Sequence, residues 1–317
     1  MDLEIKPSKE SDFEEIVEFT LEAEKQLSPQ MRCGKNRQEV EKYIKEAFAC
    51  DPFHYIFARQ NGRLLGIAGC YGFTESMMYF ESWHPLVLPG DHYDDVFILL
   101  VKESIKHTKS MGRNRLEVFL MNLTDEYRPI YERVGPLYEA GGMKRGHEWT
   151  EMVCDLTKST LEEPDLPDGF SLRPIVEVTN DEIWPTYNAT FLNSGDRRYL
   201  NQTDAQRRES FDDFFNRKKP LEEEASLLLY FEDQIVGFHK INIYDFGGFV
   251  NGVGIHPDFR RRGLGKLMMT ASLVRAAKNG MKNLILEVDI DNHRAIGLYE
   301  QLGFVHRKGS ISHVWTA

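Results

Sequence analysis

The stretch Gly252 to Met269, GVGIHPDFRRRGLGKLMM, holds the residue types of an anion site. Val253 and Ile255 alternate as on a short strand, and Pro257 ends it, because proline has no N–H to give to a ladder. Arg260, Arg261 and Arg262 follow, then Gly263, Leu264 and Gly265. From Lys266 an amphipathic pattern runs through LMMTASLVRAAKNG to Gly280, a normal helix stop. A helix start leaves backbone N–H groups unpaired and concentrates partial positive charge. Glycines let a phosphate approach the backbone, and arginines add charge-assisted hydrogen bonds. The expected ligand is a di- or triphosphate. The patterns GxGxxG and GxxxxGK[ST] are absent, so neither of those nucleotide loops applies.

R-x-x-G-x-G after a strand ending in V/I-x-P, here Arg260, Gly263 and Gly265, resembles motif A of the GNAT superfamily of acyl-CoA-dependent N-acetyltransferases. The downstream string N-x-x-A-x-x-L-Y-x-x-x-G-F resembles the next signature of that superfamily, with Asn292, Ala295, Leu298, Tyr299, Gly303 and Phe304. The likeness is specific from Gly252 to Phe304 and extends as a fold over Gly169 to Ala317. It implies acetyl-CoA as co-substrate and no metal. It also implies a pantetheine arm between two splayed strands, held by Val253, Gly254 and Ile255. Backbone and side chains of Arg260, Arg261, Arg262, Gly263, Leu264, Gly265 and Lys266 would wrap the pyrophosphate, and Asn292 would bond the arm.

Acetyl transfer to an amine needs a neutral amine, a stabilised oxyanion and a proton for the leaving thiolate. Tyr299 stands where the superfamily usually has a tyrosine near the sulfur, and a phenol with a pKa of about 10 keeps its proton at neutral pH. Glu287 lies between Leu286 and Val288 on a strand, so it projects away from both, into a cleft or toward solvent. The string LEV-x-x-x-N followed by A-x-x-LYE-x-LGF resembles the ribosomal-protein N-terminal acetyltransferases, which implies Glu287 as general base. A solvated structural glutamate fits the pattern equally well. His256 and Asp245 are reserves, the one read as surface and the other as a turn former. Strand N–H near Ile255 is the expected oxyanion donor.

The elements that position these residues occur twice. Ile5-Lys6-Pro7 and Leu172-Arg173-Pro174 each open a half, followed by helix-like stretches and a two-strand hairpin signal ending at Gly66 and Gly237. His84-Pro85 matches His256-Pro257, Leu116-Glu117-Val118 with Asn122 matches Leu286-Glu287-Val288 with Asn292, and Tyr138 to Gly142 matches Tyr299 to Gly303. Two copies of one domain are expected, α/β in class with a mixed sheet: a degenerate copy at 1–157, a linker at 158–169 and an acetyltransferase-like copy at 170–317. In the first copy the loop reads LVLPGDHYDDVF, without arginine, so Asp91, Asp94 and Asp95 would repel a pyrophosphate. That layout resembles tandem members of the superfamily with one active half, the mycothiol synthases among them. The first copy is expected to be structural and to complete the acceptor cleft.

The chain has 317 residues and a net charge of −11, which disfavours general nucleic-acid binding. No apolar run approaches the ~20 residues of a membrane helix, and MDLEIKPSKESDFEE is not a secretory signal. Cys33, Cys50, Cys70 and Cys154 form no CxxC pair and read as reduced thiols of a cytoplasmic protein. The expected acceptor is a small-molecule amine or a protein N-terminus. Thr190 to Pro220 reads as a charged helical stretch, where Arg197, Arg198 and Tyr199 would meet an acidic acceptor or solvent. The alternative function is a non-catalytic acyl-CoA-binding or regulatory module.

Overall fold

The computed structural model describes the chain apart from residues 1, 2, 28, 30, 50, 51, 82, 126, 127, 195, 196, 201 and 217. The first half contains β1 (Glu4–Pro7), α1 (Phe13–Ala23), α2 (Arg37–Phe48), β2 (Phe53–Gln60), β3 (Arg63–Thr74), β4 (Met77–Phe80), β5 (Leu86–Val87), α3 (Tyr93–Ser110), β6 (Arg115–Leu123), α4 (Arg128–Ala140) and β7 (Lys144–Asp155). The second repeats the order with β8 (Phe170–Pro174), α5 (Asn180–Leu192), α6 (Arg197–Leu200), α7 (Asp204–Phe214), β9 (Leu227–Phe231), β10 (Gln234–Tyr244), β11 (Gly247–Ile255), α8 (Leu264–Lys278), β12 (Asn283–Asp289), α9 (His293–Gln301) and β13 (Phe304–Thr316). The class is mixed α/β, and the internal repeat is real. No described helix is long and apolar enough to cross a membrane.

Contacts divide the chain into one unit of Met1–Thr150 with Lys308–Ala317 and a second of Glu151–Arg307. In the first unit β1 to β4 are antiparallel neighbours, and β4 joins β6 in parallel from Met77↔Arg115 to Tyr79↔Glu117. The final strand completes this unit, with Ile311 to Thr316 antiparallel to Leu120 to Arg115 of β6. The sequence division kept residues 308–317 with the second copy; by contact they lie in the first unit, where Ile311 is fully buried in its core. An alternating strand can satisfy any free ladder edge of matching register, so its pattern does not name its partner.

In the second unit β8, β9, β10 and β11 are antiparallel and β11 then runs parallel to β12. β11 presents two unlike faces. Val253 and Ile255 pack with Leu264 and Met268 of α8. On the other face a Cβ at Gly252 would lie 2.8 Å from Phe214, and one at Gly254 2.5 Å from Phe238. The glycines are therefore the form in which β11 admits the aromatic core built by Tyr187, Tyr199, Phe211, Phe215 and Phe238. Each such ring contributes about 1.5–3 kcal/mol by leaving water.

The charged stretch after Thr190 is not one helix. Thr203 and Gln206 form a capping box that restarts the chain as α7. Tyr199 is buried in the aromatic core and donates its hydroxyl to Asn188 Oδ1 at 2.7 Å, so it faces the interior and no acceptor. The side chains of Arg197 and Arg198 lie outside what the structure describes. The segment 159–167 has neither helix nor strand.

Candidate active site

Among the described residues β11 and β12 pair at Gly248↔Leu284 and Phe249↔Ile285. Beyond that, β11 runs on to Ile255 and β12 to Asp289 without pairing to each other. A bulge accompanies the parting: Lys240 of β10 stands opposite Gly252 and Ile241 opposite Val250, which leaves Asn251 as an extra residue. Bulges bend a strand and raise its local twist. The Asn251 side-chain amide donates to Asn242 Oδ1, and Asn242 Nδ2 donates to the Pro220 carbonyl at 2.8 Å. The result is a slot with unpaired backbone on both edges. Asn251 was not singled out in the sequence; one polar residue in a run of glycines and valines was its only signal.

The slot leads to the start of α8. Gly263 caps that helix at φ +76° and Arg261 also sits in the left-handed region, at φ +64°. Among the described residues the N–H groups of Arg261, Arg262, Gly263, Leu264 and Gly265 have no acceptor, whereas Lys266 and Leu267 already donate to the Gly263 carbonyl. A Cβ built at Gly263 would meet nothing within 4 Å, and one at Gly265 only Ile255 Cγ1 at 3.8 Å. The space over these N–H groups is open, as an anion site requires.

The basic side chains divide. Arg261, Arg262 and Lys266 are exposed. Arg262 lies over the Phe259 ring at 5.2 Å, and Lys266 Nζ donates to Gln301 Oε1 at 3.1 Å. Arg260 instead donates to the carbonyls of Ile255 at 3.0 Å, Asn193 at 2.7 Å and Thr190 at 2.8 Å. Burial and the neighbouring Arg294 lower its pKa. Arg294 thus adds a cation to this end of the unit that the motif reading did not include. Asn292 is the N-cap of α9, its Oδ1 accepting from Ala295 N–H at 3.2 Å. His256 Nδ1 accepts from Asp258 N–H at 3.4 Å in the turn before the arginines, a capping role.

Tyr299 is buried, 8% exposed, in the same core as Leu286 and Val288. Phe304 is its ring neighbour among the described residues, at 5.8 Å. Burial pushes the phenol up to about 12. Glu287 is exposed between Leu286 and Val288, which are buried in that core. Phenol and carboxylate thus belong to opposite faces of β12.

The first unit differs at several of the matching positions. Glu117, the counterpart of Glu287, is buried and paired with Arg115 at 2.8 Å. Asn122 accepts from Lys308 Nζ at 2.6 Å. The start of α3 carries Asp94 and Asp95 in its first turn. Trp83 Nε1 donates to the Met121 carbonyl at 3.1 Å, which links the chain beyond β4 to β6 where the second unit has its slot.

The second unit thus joins a parting pair of parallel strands, a bulge and an open helix start. Residues 181–304 match the model of the acetyltransferase (GNAT) family. Over 168 residues it is 33% identical to a mycothiol acetyltransferase of Streptomyces coelicolor, covering 52% of each chain. Over 154 residues it is 31% identical to the mycothiol acetyltransferase of Paenarthrobacter aurescens, covering 46% of each. The match spans about half the length of these curated relatives. Among solved structures, a GCN5-related N-acetyltransferase from Sphaerobacter thermophilus superposes with a TM-score of 0.62 at 15% identity, covering 99% of this chain and 95% of that one. A tandem GNAT protein from the clavulanic acid biosynthesis pathway gives 0.54 at 15% identity, covering 99% and 98%. These two likenesses concern the fold, and they extend it over both halves of the chain.

Proposed function

We propose that the protein is an acetyl-CoA-dependent N-acetyltransferase whose second unit carries out direct transfer to a primary amine. The observation that carries this reading is the unpaired slot between β11 and β12 leading to the open N–H groups of α8. Val253 and Ile255 offer backbone to the pantetheine arm. The N–H groups from Arg261 to Gly265, with Arg262 and Lys266 beside them, take the pyrophosphate. Arg260, Gly254 and Asn292 serve the site by shaping it, since each is already engaged inside the protein.

Glu287 accepts the proton of the incoming ammonium, directly or through water, and the neutral amine attacks the thioester carbonyl. A strand N–H near Ile255 meets the oxyanion. As the C–N bond forms and the C–S bond breaks, Tyr299 gives its proton to the departing sulfur, and the surplus proton on the acylated nitrogen passes through water to restore the phenol. A phenol raised to about 12 is fully protonated at neutral pH and stays available for this step. The name of the curated relatives favours a small-molecule amine over a protein N-terminus as acceptor. The first unit is read as structural, with no acetyl-CoA site of its own.

Calorimetric titration with acetyl-CoA tests the reading. One site per chain is expected, followed by acetyl transfer to a member of an amine panel. Binding without transfer to any amine would instead establish the non-catalytic acyl-CoA module. Two sites per chain would overturn the structural assignment of the first unit.

A further inference from the structure

An open groove of about 720 Å³ borders the start of α8. Arg262, Lys266 and Gln301 line one side of it, and Leu161, Glu162 and Pro164 the other. The second set belongs to the segment that joins the two copies in sequence. Its remaining lining comes from α8 and the end of α9, with Gly263 at the helix start among it.

The joining segment is held in place here. Leu161 packs against the core of Met269, Leu273 and Leu302. Arg275 Nε on α8 donates to Glu163 Oε1 at 2.9 Å. Upstream, Leu156 N–H donates to the Lys282 carbonyl at 2.9 Å. Glu162 stands between these anchors, exposed, and makes no ion pair among the described residues.

Coenzyme A is longer than a slot and a phosphate cradle. With the thioester in the slot and the pyrophosphate at Gly263, the 3′-phosphoadenosine end has to continue past the cradle. The groove offers what that end needs: apolar floor from Leu267, Leu302 and Pro164, cations from Arg262 and Lys266, and one carboxylate. We propose that the segment Thr160–Pro164 is a wall of the nucleotide subsite, with Glu162 accepting a hydrogen bond from the adenine amino group or a ribose hydroxyl. This rests on the acetyl-CoA reading above and adds a recognition element upstream of the motif-bearing domain.

The test uses the full chain and two donors, acetyl-CoA and S-acetyl-pantetheine, which lacks the nucleotide. Glu162→Ala should raise KM for acetyl-CoA about three- to tenfold, the value of one hydrogen bond, with kcat unchanged. KM for acetyl-pantetheine should not move. Glu162→Gln keeps an acceptor oxygen and should recover most of the loss. The side chain is exposed, so unaltered thermal unfolding of each variant is expected to verify the fold. An unchanged KM for acetyl-CoA, or an equal rise for both donors, would overturn the proposal. Wild-type protein that binds no acetyl-CoA by titration would overturn the acetyltransferase reading and this wall with it, whereas tight wild-type binding indifferent to Glu162 would overturn the wall alone.

Discussion

The guanidinium of Arg260 reaches back along the chain to the carbonyl of Thr190 at 2.8 Å. Its other nitrogens hold Ile255 and Asn193, so one side chain fastens the end of β11 to the end of α5. Arg260 is thus a staple beside the proposed phosphate site, and in that reading the ligand-facing charge falls to its neighbours.

Arg260→Ala should therefore act first on stability. Three carbonyls lose a charged donor, at a cost of about 1–3 kcal/mol in all. Each kcal/mol lowers Tm by about 2–4 °C in a domain of this size. Arg262→Ala, on an exposed side chain, should leave Tm unchanged and weaken acetyl-CoA. Differential scanning calorimetry beside isothermal titration separates the two; equal Tm losses in both variants would contradict the staple.

The two glycines of the cradle should also part company. Alanine at Gly263 must adopt φ near +76°, which costs about 1–2 kcal/mol. Alanine at Gly265 meets only Ile255 at 3.8 Å and is tolerated by the fold. Its methyl projects into the open space, and larger residues such as leucine fill it further. Gly265→Leu is expected to abolish acetyl-CoA binding at near-native Tm; retained affinity would move the cradle elsewhere.

Tyr299→Phe should lower kcat about 10²-fold with little change in acetyl-CoA affinity. Glu287→Gln should lose a comparable factor and recover part of it at higher pH, where the acceptor amine is already neutral. Glu117→Gln is the control: its carboxylate is buried against Arg115 in the first unit, so turnover should stay at the wild-type level. Steady-state kinetics across pH 6 to pH 10, roughly spanning the ordinary amine and carboxylate range, reads all three.

The first unit carries its own pH dependence. Burial pushes Glu81 up to about 8, with Tyr55 donating to Oε1 at 3.2 Å. A carboxyl raised in the folded state contributes stability that is complete below its unfolded pKa and is lost as pH rises through the folded value. Urea unfolding should show the unit weakening between about pH 4.5 and 8 from this group. Glu81→Gln should remove that slope and stabilise the protein at pH 8 on the order of 1 kcal/mol. At the acid end burial holds His84 down to about 3, a contribution lost as pH falls below its ordinary value. A Glu81→Gln curve parallel to wild type would refute the assignment.

Much of this protein is determined within short windows of sequence. The doubled element order, a helix after the glycine loop and the projection of Glu287 away from Leu286 and Val288 follow from spacing alone, because caps and strand alternation are set by neighbours a few residues apart; that the helix begins at Leu264 and not Lys266, and that Glu287 is exposed, came from the structure. The partners that lie far away in sequence needed the tertiary structure. The carbonyls that Arg260 holds on α5 and the ring of Phe238 packed behind Gly254 are partners that spacing does not name. Asn251 made the slot by being one residue too many for β10, a count that exists only between two strands. The final strand's place beside β6 and the joining segment's place along α8 are likewise choices among edges and surfaces of similar pattern. Periodicity tells which residues share a face; which neighbour that face meets is decided by packing of the whole chain.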